Sequence, residues 1–126
     1  MTVLDASAVL ALVHDEPGAD GVAAELDGAV LGAANLDEVM GKLVDVGADA
    51  RQARALLAAA GVKIEPVQAG DAVLAAALRA LPRGRALSLG DRCCLALTVR
   101  SRPAEVLTAD RLWSELELPI RVRLVG

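Results

Sequence analysis

Short apolar strand patterns alternate with helical patterns along the whole 126-residue sequence, and this alternation limits the fold more than any other feature. The predicted strands are residues 2–5, 29–32, 62–67, 104–108 and 120–125. The predicted helices are residues 6–13, 19–27, 35–46, 49–60, 69–81, 88–100 and 110–116. Alternation of this kind is typical of a mostly parallel sheet covered by helices on both faces. The sequence therefore predicts one α/β domain over residues 1–126, with a central sheet of about five strands.

Four acids stand where such a fold usually holds its chemistry. Asp5 and Asp110 directly follow predicted strands, and Glu38 and Asp91 lie in the first turns of predicted helices. Because the loops at the carboxyl ends of parallel strands share one edge of the sheet, we expect these acids to converge there. Neighbouring carboxylates repel one another, and a divalent cation removes that penalty. Oxygen ligands without histidine favour Mg²⁺ or Mn²⁺, which can generate hydroxide and stabilise the charge on a phosphodiester.

Each of these acids also has a simpler interpretation as a helix cap. The two acids that follow strands can accept hydrogen bonds from the free N–H groups of the helices after them. Asn35 with Glu38, and Ser88 with Asp91, match the pattern of a capping box, in which an N-cap side chain and an acid three residues later exchange hydrogen bonds. Capping and convergence on one metal site are both consistent with the sequence, and the joint placement of all four acids favours the site.

The amino-acid composition limits the interactions through which the chain can bind nucleic acid. Trp113 is the only aromatic residue, so the chain offers no aromatic platforms on which single-stranded bases can stack. Residues 1–78 hold 4 basic and 12 acidic residues, whereas residues 79–126 hold 9 basic and 5 acidic residues. The basic residues of the second part are Arg79, Arg83, Arg85, Arg92, Arg100, Arg102, Arg111, Arg121 and Arg123. These arginines can bind phosphates by charge, although ordinary surface ion pairs explain them equally well.

The remaining chemistry-bearing side chains predict a cytoplasmic protein without a redox or nucleophile site. No run of about 18 apolar residues predicts a membrane span, and no basic leader precedes the first strand. Cys93 and Cys94 are adjacent, which suits neither a disulfide framework nor a redox pair, so buried packing in a reducing compartment is expected. His14 is the only histidine and is expected in a loop, while Trp113 is expected in the core.

Four stretches of the sequence resemble a known family, in the family's own order. They are LDASAVLAL at 4–12 followed by EPG at 16–18, NLDEV at 35–39, LSLGDR at 87–92 and LTADRLW at 107–113. On these stretches the chain resembles PIN-domain proteins, and among them the VapC-type toxins of bacterial toxin–antitoxin pairs. The resemblance covers the full length and implies a PIN-like three-layer α/β/α fold.

The resemblance also implies a function and the residues that perform it. In the family, the acids that correspond to Asp5, Glu38, Asp91 and Asp110 hold one or two Mg²⁺ or Mn²⁺ ions. Family members cleave RNA by metal-assisted hydrolysis that leaves 5′-phosphate products, usually act as homodimers, and are inhibited by a cognate antitoxin protein. We expect Asp5 and Asp91 to be the principal metal ligands, with the other two acids binding directly or through water.

Four further side chains lie close to these acids in the sequence. Ser7 and Thr108 each lie two residues from a proposed ligand and either bond that ligand or a phosphate, or satisfy local backbone groups. Arg92 and Arg111 each follow a proposed ligand and either meet the RNA backbone or form a salt bridge.

Three rival functions remain consistent with the sequence. A PIN-fold nuclease that acts in RNA processing outside toxin systems would have the same acids. A phosphatase of the haloacid dehalogenase type also begins with a strand that ends in an acid, but it needs a second acid where this chain has Ser7. A binding module that kept the fold and lost catalysis is disfavoured because all four acids are present.

Overall fold

In the computed structural model, which describes all of residues 1–126, five strands form one parallel sheet in the order β3-β2-β1-β4-β5. The strands are Thr2–Leu4 (β1), Val30–Gly32 (β2), Lys63–Glu65 (β3), Glu105–Thr108 (β4) and Arg121–Leu124 (β5). The helices are Ala6–Val13 (α1), Ala19–Ala23 (α2), Ala33–Asp45 (α3), Ala50–Ala59 (α4), Ala69–Ala77 (α5) and Leu89–Arg100 (α6). Three 3-10 turns cover Leu78–Ala80, Gly84–Ala86 and Arg111–Glu115. The predicted α/β/α architecture is confirmed, and the sheet is entirely rather than mostly parallel.

Strand β1 is the centre of the sheet and pairs with β2 on one side and β4 on the other. The chain adds β2 and β3 in one direction and then returns to add β4 and β5 in the other. This makes the carboxyl ends of β1 and β4 the point where the strand order reverses, which is where open α/β sheets bind ligands. Asp5 follows β1, and Asp110 lies two residues beyond β4.

Alternation along the strands divides the core into two layers. Leu4, Leu31 and Leu107 are in register and pack in one cluster with buried residues of α1, α2, α3 and α4. Val3 and the two residues in register with it, Val30 and Val106, pack in the other cluster with α6 and Trp113. Because successive strand residues point to opposite faces, each strand supplies both layers. The sheet is therefore covered on both sides, as the uninterrupted apolar strand patterns indicated.

Several element boundaries differ from the sequence-based expectation. Helix α3 begins at Ala33 rather than at Asn35, because β2 passes into the helix directly at Gly32. Helix α2 ends at Ala23 instead of extending to residue 27, where a turn at Gly28 with a φ of 79° follows. The segments predicted as helix at 78–81 and 110–116 form 3-10 turns instead, and the predicted loop at 82–85 contributes to another.

The predictions for the two cysteines, the tryptophan and the histidine are confirmed. Cys93 and Cys94 are free and buried within α6, and Trp113 is fully buried. His14 is exposed where α1 ends.

None of the helices has both the length and the apolarity needed to cross a bilayer.

The packing of the 3-10 turn Gly84–Ala86 can be tested by a substitution at its first residue, Gly84. A methyl group at Gly84 would meet the carbonyl oxygen of Leu78 and lie 3.1 Å from the backbone of Arg79, and backbone atoms cannot move aside cheaply. We expect Gly84→Ala to lower the free energy of unfolding by about 1–3 kcal/mol through overpacking. Gly41→Ala is the control, because that exposed α3 position has no atom within 4 Å and alanine there should stabilise by roughly 0.5–1 kcal/mol. Denaturant unfolding measures both values, and equal stabilities for the two variants would contradict the packing.

Candidate active site

The candidate active site is built around Asp5, the residue that follows the central strand. Asp5 is 3% exposed and has extended backbone angles, and its N–H donates to the carbonyl of Leu107 at 3.0 Å. It occupies the N-cap position of α1, but its side chain accepts no capping hydrogen bond. The simpler interpretation of Asp5 as a helix cap is therefore wrong, and its carboxylate is held by other side chains.

Two hydroxyl groups hold one oxygen of this carboxylate. Ser7 Oγ donates to Asp5 Oδ2 at 2.6 Å, and Thr108 Oγ1 donates to the same oxygen at 2.9 Å. Each hydroxyl also accepts from the backbone: Ser7 Oγ from the N–H of Ala109 at 2.9 Å, and Thr108 Oγ1 from the N–H of Asp110 at 3.0 Å. Because an ionised carboxylate can only accept, the protons of both hydroxyls are directed to Oδ2. No side chain donates to Oδ1.

Glu38 reaches the same region from α3. Its Oε1 accepts from Asn35 Nδ2 at 2.9 Å, and Asn35 Nδ2 also donates to the carbonyl of Gly90 in the first turn of α6 at 3.1 Å. A methyl group at Gly90 would collide with the carboxylate of Glu38, so this carboxylate lies directly against the α6 backbone. Asn35 is the third residue of α3, with Gly32 at the N-cap, and is not the N-cap that the sequence pattern suggested.

The other two acids both serve as caps. Asp91 Oδ2 accepts from the N–H of Ser88 at 2.9 Å while Ser88 Oγ accepts from the N–H of Asp91 at 3.1 Å, which is the predicted capping box. Asp110 Oδ1 accepts from the N–H of Leu112 at 3.0 Å and so caps the 3-10 turn Arg111–Glu115. Each of these carboxylates keeps a second oxygen that accepts no hydrogen bond within the protein.

The charges of Asp5, Glu38 and Asp91 act on one another. Burial raises the pKa of Asp5 above its ordinary value of 3.8, the hydrogen bonds from Ser7 and Thr108 oppose that rise, and the charge of Asp91 adds to it. Burial likewise raises the pKa of Glu38, the Asn35 hydrogen bond opposes it, and the charges of Asp5 and Asp91 add to it. These three acids therefore share one electrostatic environment at the edge of the sheet.

The structure brings the predicted acids together to different degrees. Asp5, Glu38 and Asp91 lie within each other's electrostatic influence, whereas Asp110 is exposed beyond them. No group of three or more acidic, histidine or cysteine side chains lies close enough to chelate one ion together. The chemistry of the donors nevertheless fits a hard divalent cation, because carboxylate oxygens free of side-chain donors remain on Asp5, Glu38 and Asp91.

The two arginines next to the acids behave differently from each other. Arg92 is half-buried and donates from Nη1 to the carbonyl of Ala75 in α5 at 3.1 Å, so it joins two helices and forms no salt bridge. Arg111 is exposed and also forms no salt bridge. Of the pair, Arg111 alone projects from the surface beside the site.

A comparison of the sequence with models of protein families identifies the family of this chain. The sequence model described as PIN domain matches residues 2–117, nearly the whole chain. The chain therefore belongs to the PIN domain family, whose members are nucleases. A comparison of the sequence with curated proteins finds no match.

Solved structures show the same fold at low sequence identity. A toxin–antitoxin complex from Klebsiella pneumoniae is 19% identical, with 87% of each chain covered and a TM-score of 0.66. VapBC2 from Rickettsia felis, bound to a DNA fragment from its promoter, is 12% identical, with 99% of this chain and 98% of that chain covered and a TM-score of 0.74. FitAcB from Neisseria gonorrhoeae is 17% identical, with 97% and 96% covered and a TM-score of 0.62.

Two residues of the site did not stand out in the sequence as site residues. The sequence pattern identifies Asn35 only as a helix cap, and it contains Gly90 only as part of the stretch LSLGDR. The signal that could have identified Gly90 is its position directly before Asp91 at a helix start, where a side chain would crowd any acid approaching from a neighbouring helix. Nothing in the local sequence distinguishes Asn35 from an ordinary N-cap.

The hydroxyls around Asp5 can be tested by substitution. Thr108→Val keeps the shape of the side chain but removes a hydrogen bond that favours the charged carboxylate, so we expect the pKa of Asp5 to rise further. Thr98→Val is the control, because Thr98 is equally buried and bonds to the carbonyl of Cys94 instead. Carboxyl ¹³C NMR titration of the metal-free protein measures the shift. An unchanged Asp5 pKa in Thr108→Val would contradict the hydrogen bond.

Proposed function

We propose that this protein is a metal-dependent endoribonuclease whose catalytic residues are Asp5, Glu38, Asp91 and Asp110. The observation that carries the proposal is the fixed carboxylate of Asp5 at the point where the strand order reverses, with two more acids coupled to it electrostatically. A buried acid in repulsive contact with other acids costs stability, and such sites persist where function requires them. The PIN domain match supports the same activity.

The cofactor that we propose is Mg²⁺ or Mn²⁺. The donors available are carboxylate oxygens, which both ions prefer, and a dication would offset the repulsion that raises the pKa values of Asp5 and Glu38. Asp5 and Asp91 are the proposed principal ligands, with Glu38 and Asp110 binding directly or through water. When bound, such an ion activates water and stabilises negative charge on a phosphodiester.

The side chains of the protein itself prepare the site for that ion. Ser7 and Thr108 both donate to Asp5 Oδ2 and leave Oδ1 without a side-chain donor. The capping box holds Asp91 by one oxygen and leaves the other available. In this proposal the acids are thus oriented before an ion or a substrate arrives, which reduces the entropy lost on binding.

RNA is the proposed substrate, and its backbone is the part that the protein contacts. A protein with a single, fully buried aromatic residue cannot stack bases on aromatic side chains, so charge and shape provide the affinity. Arg111 follows Asp110 and is exposed without an acidic partner, which suits a contact with a phosphate close to the cleaved bond.

We further propose that the protein is the toxin of a type II toxin–antitoxin pair and acts as a homodimer. Two of the similar structures are described as a toxin–antitoxin complex and as VapBC2, and both cover most of this chain. An acidic site of this kind is complementary to the arginine or lysine of a partner protein, because a guanidinium binds carboxylates through paired hydrogen bonds. An antitoxin that inserts such a residue would occupy the position of the metal.

Cleavage of total bacterial RNA tests the nuclease. We expect cleavage with Mn²⁺ or Mg²⁺, none with chelator, and a loss of roughly a hundredfold or more in Asp5→Asn, since electrostatic stabilisation of charge is among the largest catalytic contributions. Asp20→Asn is the control, because Asp20 is exposed on α2 and is not among the groups that bond to Asp5 or Glu38 or shift their pKa values. Metal-dependent cleavage at the wild-type rate by Asp5→Asn would refute the assignment.

A stability measurement separates lost chemistry from lost folding in that variant. The pKa of Asp5 is raised in the folded state, so its charge destabilises the protein increasingly as the pH rises above its ordinary value of 3.8. Asn can accept the same two hydroxyl hydrogen bonds without that charge. At pH 7 the metal-free Asp5→Asn protein should therefore be at least as stable as the wild type, and the difference should shrink as the pH falls toward 4.

The toxin role can be tested with the protein encoded next to this one. We expect the product of an adjacent small gene, added in equimolar amount, to abolish cleavage. The double variant Asp5→Asn/Asp91→Asn should bind that product about tenfold or more weakly, because the paired charge-assisted hydrogen bonds are lost. Calorimetric titration measures the affinity, with Asp20→Asn/Glu117→Gln as a control of equal charge. Cleavage that no adjacent gene product inhibits would favour a role in RNA processing instead.

A further inference from the structure

Asn35 joins two helices at the edge of the candidate site. It is 1% exposed, and both hydrogens of its amide are used: one reaches Glu38 Oε1 on its own helix and the other reaches the carbonyl of Gly90 on α6. The orientation of the amide is fixed by these bonds, because a reversed amide would direct its oxygen at two acceptors. The result is a connection between Glu38 and the turn of α6 that carries Asp91.

Gly90 completes this connection from the other side. The carboxylate of Glu38 occupies the space where any side chain at position 90 would begin, with Glu38 Oε2 at 2.7 Å from the Cβ that alanine would add. The amide of Asn35 thus holds Glu38 from one side and the bare backbone of Gly90 receives it on the other. Together they place the carboxylate of Glu38 beside the residue that precedes Asp91.

The connection between the two helices leaves one polar atom of Asn35 without a hydrogen bond. Asn35 Oδ1 is buried and has no hydrogen-bond partner. An unsatisfied buried acceptor is unfavourable, and an apolar side chain of similar size at position 35 would avoid that cost. Stability alone therefore does not explain an asparagine here, whereas the need to orient a charged carboxylate does.

We propose that Asn35 is a positioning residue that, with Gly90, fixes the Glu38 carboxylate beside Asp91 and thereby sets the geometry of cleavage. This inference rests on the proposed nuclease function, and it adds a residue that acts only through Glu38. Substitutions in the hydrogen-bonding partners of active-site ligands typically cost about 10- to 100-fold in affinity or activity.

A double-mutant cycle on cleavage tests this role. We expect Asn35→Leu to lower kcat about 10- to 100-fold with KM within about twofold, and to have no further effect in the Glu38→Ala background. In the Asp37→Ala background, which removes an exposed acid next to Glu38, the full effect of Asn35→Leu should remain. The same loss in both backgrounds, or wild-type kcat in Asn35→Leu, would overturn the proposal.

Gly90 offers an independent test with a matched control. Gly90 and Gly70 are each the second residue of a helix, but a methyl group meets the Glu38 carboxylate at position 90 and nothing within 4 Å at position 70. Gly90→Ala should therefore lower kcat by a factor similar to that of Asn35→Leu, and Gly70→Ala should leave kcat unchanged. Equal activity of the two glycine variants would contradict the positioning of Glu38.

Amide hydrogen exchange tests the contact without any activity. The chain has one asparagine and two glutamines, so the side-chain amide of Asn35 is readily resolved by ¹⁵N NMR from those of Gln52 and Gln68. In the metal-free protein we expect the Asn35 amide protons to exchange about tenfold or more slowly than the glutamine amides, and to lose that protection in Glu38→Ala but not in Asp37→Ala. Unprotected Asn35 protons in the wild type would overturn the proposal.

The outcomes for the two proposals are distinguishable. If Glu38→Ala and Asp5→Asn cleave RNA like the wild type, or if the wild type cleaves nothing, the nuclease assignment fails and the role of Asn35 in cleavage fails with it. If Glu38→Ala is inactive while Asn35→Leu is fully active and stably folded, the nuclease assignment stands and only the positioning role fails.

Discussion

The burial of a carboxylate that other carboxylates repel is the constraint on which this structure depends. Asp5 is buried at the end of the central strand and so loses most of its hydration. Hydrogen bonds from the hydroxyls of Ser7 and Thr108 compensate for part of that loss. Both hydroxyls donate to Oδ2, and the backbone of Ala6 also favours the charged carboxylate, but burial still raises the pKa of Asp5. The apolar layers on both faces of the sheet must offset the remaining cost of this burial.

The two layers of the core also determine which segments reach that edge. Helix α3 packs in the layer that contains Leu4, and α6 packs in the layer that contains Val3, so the helices that carry Glu38 and Asp91 belong to the two different layers. A sheet covered on one face only would supply one of the two acids. The three-layer architecture and the composition of the site are therefore two consequences of the same alternating strand pattern.

Much of this arrangement was predictable from the sequence, and the failures have physical reasons. That the end of β4 lies beside Asp5 follows from the rule that parallel strands end at one edge, even though 101 positions separate Ser7 from Thr108. Thr108, however, bonds the carboxylate of Asp5 and not that of Asp110, which is closer in the sequence. The predicted start of α3 at Asn35 is wrong because Asn35, Asp37 and Glu38 match the sequence pattern of a helix N-terminus. The helix begins earlier, since β2 passes into it at Gly32 without a loop. The contact between Asn35 and Gly90 could not be predicted, because it depends on how closely two helices pack and not on either local sequence.

The complete burial of Trp113 gives the molecule a single intrinsic probe. Since no other aromatic side chain is present, all of the tryptophan fluorescence arises from one indole, which lies three residues after Asp110 and packs against the sheet layer that contains α6. Its emission reports on the 3-10 turn that borders the open edge of the sheet. Movement of this turn and opening of the core thus have a common optical signal that requires no label.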